Sequence, residues 1–457
     1  MGNLTESQLG TVRTLIKAAS DSAIRDLQQA LSVGAEQQGA MRLIQKMVLD
    51  ESADRLGRDY VFAPLLPLCG SKSRGPGGLL FPPMTLSRLW RGLREAFPND
   101  VAAAVVAAHD MDPKTPPEVI YDALCLKAAE GLRDRSNSGY AAAAAGLDQA
   151  QPDGSALFAT YLDLTPVARA ALARTPDWIG RLNEDRIVAA RLTFRDAVDV
   201  ADDAGPRLLE ILYGHLEESW TVLRLISAVM HRPNDKYVAN SELKTFGERL
   251  LDDLDARLKR VSAFNADEGP AGGNAVGEDV RVSALQITEF EDCFELSPDG
   301  PWGMRLIRQK RGLSQAVESR LKAIDNEVAA ALPLVSTGYK AKGARGQPRL
   351  IQDPDQRQVN RALGFLSLLS NVRAASDKLG FGTLWAKAVE AVESRLHTYV
   401  EDLLEKLRDE EQAELHDRVR LYLEVAAQFL GLAAGEKAGQ IIRRRLAAAK
   451  DASRSAA

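Results

Sequence analysis

Apolar residues recur at spacings of three and four along most of the chain. From Leu243 to Val261 they form a single stripe, and charged residues fill the positions between them. This spacing places apolar side chains on one face of an α-helix and charged ones on the solvent side. The pattern predicts the all-α class: an elongated multi-helix array, or bundles, of long amphipathic helices with little or no sheet.

One stretch, residues 280–296, fits two kinds of structure. Apolar and polar residues alternate from Val280 to Ala284, as in a strand, whereas Phe290 and Phe294 are spaced as in a helix. The sequence leaves both structures open here, and we expect any strand to be short.

Threonine and proline residues indicate several helix boundaries. Thr85 is placed to cap the N-terminus of a helix that ends near Phe97-Pro98. Thr175-Pro176-Asp177 is typical of a helix start, because proline suits the first turn and aspartate the positive end of the helix. A break at Arg232-Pro233 separates two further predicted helices.

Glycine-rich stretches interrupt the helical pattern and suggest domain boundaries. Residues 265–283, the glycine-rich acidic segment, contain four acids, four glycines and no basic residue within positions 265–279. This composition is typical of a flexible linker or loop. We therefore predict an N-terminal helical region at 1–264, with a sub-boundary near 64–84, and a C-terminal helical region at 284–457.

Near the C-terminus, apolar residues step alternately by four and three, as in a coiled coil or a long antiparallel helix pair. A second set continues beyond residues 409–411, so one long helix or a hairpin would satisfy both. We predict that the first set, the C-terminal seam, mediates self-association into a homo-oligomer, with packing inside the chain as the alternative. Its residues are Trp385, Val389, Val392, Leu396, Tyr399 and Leu403.

Length, charge and cysteine usage bound the class of protein. A chain of 457 residues exceeds one ordinary core, and a formal net charge of −5 gives no general attraction to nucleic acid. The three cysteines lie far apart, as expected in a reducing compartment. Because we find neither a secretory signal nor an apolar stretch long enough to span a bilayer, we expect a cytoplasmic protein.

Few residues suggest catalysis or a cofactor. None of the five histidines stands three or four residues from another, which opposes a helical metal site. The stretch Gly70–Gly78 lacks the Gly-Lys-Ser/Thr ending of a phosphate loop, and the chain has no Gly-x-Ser-x-Gly motif. We therefore predict no catalytic residue, no metal site and no cofactor.

One acidic cluster supports an enzymatic alternative. Asp252-Asp253-Leu254-Asp255 resembles the first aspartate-rich motif of the terpenoid synthases, and Asn234 and Glu242 match two of the three metal ligands of their second motif. Val238 replaces the hydroxyl residue of that second motif, and the acidic cluster follows it instead of preceding it. The resemblance implies a magnesium-dependent all-α enzyme acting on a diphosphate or isoprenoid substrate. The competing interpretation is a solvated helix face.

Two stretches are strongly basic. The basic loop, residues 337–353, carries four cations and no acid before Asp353, and the basic tail, residues 437–454, carries six cations and one acid. Such segments bind phosphates or anionic membranes, although cations at the end of a last helix also complement its dipole. The candidate contacts to an anionic partner are Lys340, Lys342, Arg345, Arg349, Arg443, Arg444 and Arg445.

Long amphipathic helices without catalytic motifs favour a protein that works by contact. We predict a non-enzymatic helical scaffold, adaptor or tether that acts through protein–protein contacts with a partner that the sequence does not identify. The first alternative is peripheral binding of an anionic membrane surface or nucleic acid through the basic loop and tail. The second is the magnesium-dependent enzyme.

Overall fold

The computed structural model describes residues 5–32, 39–110, 116–180, 183–230, 232–335, 346–408 and 414–456. Within these ranges the chain forms 21 α-helices and one two-stranded sheet, which confirms the predicted all-α class. The chain divides into two compact units, unit 1 (Met1–Arg232) and unit 2 (Pro233–Ala457). The division coincides with the Arg232-Pro233 break and not with the glycine-rich acidic segment.

Unit 1 contains twelve α-helices in its described residues and two short 3₁₀ turns, Ala63–Leu68 and Ser219–Thr221. The helices are α1 (Glu6–Ala18), α2 (Asp21–Ser32), α3 (Ala40–Val61), α4 (Thr85–Ala96), α5 (Pro98–Ala107), α6 (Pro117–Asp134), α7 (Ser138–Ala150), α8 (Gly154–Asp163), α9 (Thr165–Ile179), α10 (Glu184–Val200), α11 (Ala204–His215) and α12 (Val222–Val229).

Glycines allow three helices of unit 1 to meet around one aromatic ring. Tyr140 of α7 is fully buried, and a Cβ atom at Gly131 of α6 would lie 2.3 Å from its ring. A Cβ at Gly139 would lie 2.4 Å from the backbone nitrogen of Gly92, so α7 and α4 approach at backbone distance. Only glycine fits at such contacts, and the tyrosine fills the space beside them.

The glycine- and proline-rich stretch 64–84 is attached to α11 and does not mark a sub-boundary. Glu210, a buried carboxylate, accepts a hydrogen bond from the backbone N–H of Leu79 at 2.7 Å. The hydroxyl of Tyr213 donates to the carbonyl of Pro76 at 2.9 Å. The stretch is therefore part of unit 1, where it packs against α11.

Two predicted helix starts are corrected. The helix α9 begins at Thr165, and Pro176 lies inside its last turn. The hydroxyl of Thr175 donates to the carbonyl of Ala171 at 3.0 Å, so it bonds back to its own helix instead of capping a new one. Thr85 is the first residue of α4, whose N-cap is Met84.

Unit 2 contains nine α-helices in its described residues, two 3₁₀ turns (Ala266–Glu268 and Arg373–Ala375) and a small antiparallel sheet. The strands are β1 (Leu334–Val335) and β2 (Gln347–Pro348). The helices are α13 (Asp235–Ala239), α14 (Lys244–Ser262), α15 (Gly269–Cys293), α16 (Pro301–Leu321), α17 (Ile324–Ala331), α18 (Gln356–Asn371), α19 (Gly382–Arg408), α20 (His416–Ala434) and α21 (Glu436–Ala456).

The glycine-rich acidic segment is not a linker, because most of it belongs to the buried helix α15. Gly269, Gly273 and Gly277 stand four residues apart and share one helix face. A Cβ atom at Gly273 would lie 2.1 Å from the carbonyl oxygen of Gly364 in α18. Among the described helices, α15 and α18 form the most extensive pair. The glycines therefore allow close helix packing instead of chain flexibility.

The same helix resolves the ambiguous stretch at 280–296. The helix α15 continues to Cys293, and the alternating Val280, Val282 and Ala284 are all buried within it. Alternation of apolar residues fits this helix because several of its faces are covered, which removes the usual polar side.

Adding one methyl group at Gly273 tests the α15–α18 contact. We expect Gly273→Ala to lower the free energy of unfolding of unit 2 by about 1–3 kcal/mol, because the new Cβ meets backbone that cannot yield. Denaturant unfolding followed by circular dichroism measures the change.

Gly431→Ala in α20 is the matched control. Its Cβ would be in ordinary contact, 3.4 Å from a carboxylate oxygen of Glu436. We expect no loss of stability, or a gain of about 0.5–1 kcal/mol from helix propensity. Equal losses for the two variants would contradict the close-packing account.

Candidate functional site

The acidic cluster of α14 is occupied by cations of unit 2. Arg305 of α16 contacts Glu248 at 3.0 Å, Asp252 at 2.5 Å and Asp255 at 2.6 Å. Three carboxylates around one guanidinium form a structural ion-pair network. Carboxylates of the motif that resembles a diphosphate-binding site therefore form ion pairs that hold α16 against α14.

The remaining aspartate of the cluster belongs to a second network. Asp253 accepts hydrogen bonds from Arg257 at 2.7 Å and from Gln286 of α15 at 2.8 Å. Arg257 and Arg260 together contact the buried Asp279 at 2.7–2.8 Å. Asp279, which lies in the segment predicted to be a linker, thus joins α15 to α14.

No group of acidic, histidine or cysteine side chains in the described ranges is arranged to hold a metal ion. Of the second motif, Glu242 is exposed between α13 and α14, and the side chain of Asn234 caps α13 by accepting a hydrogen bond from the backbone N–H of Tyr237 at 3.1 Å. The structure therefore does not assemble the two motifs into one site.

The C-terminal seam faces the interior of unit 2. Val392, Leu396, Tyr399 and Leu403 are at most 2% exposed. The ring of Tyr399 lies 6.4 Å from that of Tyr422, so α19 and α20 are two helices that pack against each other. This arrangement fits the predicted hairpin and not one long helix.

The first two seam residues are less buried. The indole N–H of Trp385 donates to the carbonyl of Leu369 at 2.9 Å, and Val389 is half-buried. Self-association stays a prediction, and it would need other surfaces because the centre of the seam is covered by its own unit.

The arginine triplet of the basic tail is largely engaged within unit 2. Arg443 contacts Glu424 at 2.9 Å and Glu436 at 3.3 Å. Arg445 holds Glu401 of α19 in a bidentate pair at 2.5 and 2.9 Å. Arg444 is exposed. The tail therefore offers an anionic partner less free charge than its sequence indicates.

Most of the basic loop lies outside the described residues. Lys340, Lys342 and Arg345 fall in this part, so their placement is not described. Arg349 is exposed next to β2, and its backbone N–H donates to the carbonyl of Pro333 at 2.9 Å.

A surface that the sequence interpretation missed runs along α16. Met304 and Ile307 are 56% and 46% exposed, and Arg308 and Arg311 are exposed beside them. Together with Leu258 of α14 these residues line the α16 groove, which encloses about 770 Å³. Positions 304, 307, 308 and 311 share one helix face, and this spacing could have identified the surface.

The three arginines that line the groove differ in whether they form ion pairs. Arg305 is committed to three carboxylates, as described above. In the part of the chain that the structure describes, Arg308 and Arg311 form no ion pair within 4 Å, although the charge of Arg308 helps to lower the pKa of Asp255. The groove therefore presents two unpaired guanidinium groups beside exposed apolar side chains.

Comparison with known proteins returns no match: no family model, no curated protein and no solved structure is significantly similar to this chain. Among the described helices, none has the length and apolar composition required to cross a membrane.

Substitution of Arg305 tests the acidic network, because the stability that the network contributes should depend on pH. Burial raises the pKa of Asp255, but hydrogen bonds from Gln309 and Arg305 outweigh this effect and leave the pKa below its usual value. A carboxyl group with a lowered pKa stabilises the fold above its unfolded pKa, and this contribution is lost as the pH falls through its folded pKa.

We therefore expect Arg305→Leu to lower the free energy of unfolding by about 1–3 kcal/mol at neutral pH. The loss should shrink as the pH falls below about 3.9, the usual pKa of an aspartate, because the carboxyl group of Asp255 then becomes protonated. Arg357→Leu, which removes the exposed pair with Asp267, is the control and should cost about 0–1 kcal/mol. A loss for Arg305→Leu that did not depend on pH would contradict the network.

A charge in the C-terminal seam distinguishes internal packing from assembly. We expect Leu403→Glu to destabilise unit 2 by more than about 4 kcal/mol, because it buries an unpaired carboxylate. Leu421→Glu on α20, where the leucine is 48% exposed, should change stability by about 0.5 kcal/mol or less. A folded Leu403→Glu variant with a smaller molecular mass in light scattering would instead favour the assembly surface.

Proposed function

We propose that this protein is a helical scaffold or adaptor that binds an acidic stretch of a partner protein along the α16 groove. The observation that carries the proposal is the unpaired charge of Arg308 and Arg311 beside Met304 and Ile307. Methionine and arginine are enriched in protein interfaces, and the buried core of an interface is more apolar than the rest of the surface. Positive charge at the rim selects partners of opposite charge.

The dimensions of the groove suit a short peptide segment. The face from Met304 to Gln315 spans three turns, or about 16 Å of helix. Met304 and Ile307 line the groove together with the two arginines and Leu258 of α14. A helix with acidic residues flanking apolar ones would place carboxylates on the arginines and apolar side chains on the methionine and isoleucine.

The alternative functions have weaker support from the contacts. The acids of the proposed magnesium site are engaged by Arg305, Arg257 and Gln286. Two of the three arginines in the triplet Arg443–Arg445 are paired with acids of unit 2. The charge that remains available in the described residues of α16 therefore favours contact with an acidic protein.

Binding of designed peptides to the full-length protein tests the proposal. Two labelled amphipathic peptides share the same apolar residues, and their polar positions carry glutamate in one and lysine in the other. We expect the acidic peptide to bind more tightly in fluorescence anisotropy, and its affinity to fall as salt is added. Arg308→Glu with Arg311→Glu should weaken binding at least about tenfold, because like charges then face each other.

Lys437→Glu with Arg444→Glu in the basic tail is the matched control, since it changes the net charge by the same amount. It should leave binding of the acidic peptide unchanged. Flotation with vesicles that contain an anionic lipid tests the membrane alternative. Vesicle binding that the tail variant abolishes, together with no preference for the acidic peptide, would overturn the proposal.

A further inference from the structure

A smaller concave surface, the Phe294 pocket, adjoins the α16 groove. It encloses about 320 Å³ and is lined by the end of α15, the connection that follows it and the first half of α16. Phe294 and Leu306 in its lining are buried, and Leu296 is half-buried. Every residue that lines it falls within the described range 232–335. The pocket is therefore a mostly apolar concavity formed by neighbouring stretches of one unit.

The Phe294 pocket carries no net charge. The charged side chains in its described lining are Glu291 and Lys310, and they form an ion pair with each other at 2.8 Å. Burial of a further charge here would leave that charge without a partner, whereas burial of apolar surface is favourable. Ligand sites enclose about 300 to 1,000 Å³, so this pocket lies at the small end of that range. It therefore suits one large apolar side chain.

Ile307 is a wall that the Phe294 pocket and the α16 groove share. It lines both concave surfaces, and its side chain is 46% exposed between them. With 3.6 residues per turn, Leu306 and Lys310 lie on the pocket side of Ile307. Arg308 and Arg311 lie on its other side, in the groove. A segment that rests on Ile307 would therefore contact both surfaces at once.

The two surfaces accept different chemical groups. The groove offers unpaired guanidinium groups to carboxylates, and the pocket offers apolar surface without net charge. We propose, on the basis of the function proposed above, that the acidic segment of the partner inserts one bulky apolar side chain, the anchor, into the Phe294 pocket. The anchor is leucine, phenylalanine or tryptophan, and carboxylates of the same segment contact Arg308 and Arg311 across Ile307. In a helical segment, the anchor and such a carboxylate stand three or four residues apart.

Alanine substitution along the acidic peptide described above tests the proposal with the full-length protein. Each apolar residue of the peptide is replaced in turn, and binding is followed by fluorescence anisotropy. We expect one position to cost at least about tenfold in affinity and the others less, because a side chain buried in a pocket contributes most of the apolar binding energy.

A filled pocket shows where the anchor binds. Ser297 is half-buried in the lining of the Phe294 pocket. We expect Ser297→Phe to occupy the pocket and to reduce the effect of the alanine substitution at the anchor to about twofold or less, because the two changes remove the same contact. Ser394→Phe, at an exposed position of α19, is the matched control and should preserve the tenfold effect.

Leu296→Ala is a second pocket variant, which removes an apolar side chain from the lining without adding bulk. It should weaken binding of the unaltered acidic peptide at least about threefold and leave binding of the peptide with alanine at the anchor position nearly unchanged. Circular dichroism establishes that each variant is folded, and Leu296→Ala decides the question if Ser297→Phe does not fold.

The outcomes distinguish the anchor from the proposed function. The anchor proposal would be overturned if no apolar position of the acidic peptide were sensitive, or if the sensitive position lost as much affinity in the folded pocket variants as in the unaltered protein. In either case the preference for the acidic peptide would remain. If the acidic peptide bound no more tightly than the lysine peptide, the proposed function would fail and the anchor proposal with it.

Discussion

Close approach of helix backbones at glycine is the constraint on which both units depend. In unit 2, Gly273 brings α15 against the carbonyl of Gly364 in α18, where a Cβ atom would have no room. In unit 1, Gly139 does the same against Gly92, and Tyr140 fills the adjoining space. Because helices that lack side chains at the contact pack at short distance, larger side chains on either side interlock around it. Glycine at these contacts is therefore a packing requirement.

The charge networks depend on this packing. Once α15 is fixed against α18, its Asp279 faces the arginines of α14. The helix α14 in turn holds α16 through Arg305 and the carboxylates around it. Burial and mutual pairing make these charges part of the scaffold, while the outer face of α16 is left with unpaired arginines. The distinction between engaged and unpaired charges therefore follows from which helix faces are covered.

The sequence predicted the class of fold well, because a repeat near 3.6 residues is a local property that the chain displays directly. It failed at residues 265–283, where glycine and acid content suggested a linker. The glycines at 269, 273 and 277 stand one helical turn apart, and that regular spacing is the signal that composition alone conceals. The division between units was indicated by Arg232-Pro233, which the sequence interpretation treated only as a helix boundary.

Functional residues were harder to predict, because a sequence does not reveal which charges are paired. Arg443 and Arg445 looked available but contact Glu424 and Glu401, which lie far away in the sequence. Arg308 looked like one cation among many on an amphipathic helix, and only the positions of its neighbours show that it forms no ion pair in the described residues.

Amide hydrogen exchange of α15 tests the central claim most directly, since a buried helix and a linker differ greatly in this property. A helix held at its glycines opens only when unit 2 unfolds, so amides from Gly273 to Phe290 should exchange as slowly as those in the centres of α14 and α18. Exchange of these amides at the rate of an unprotected chain, in an otherwise protected unit, would contradict the account.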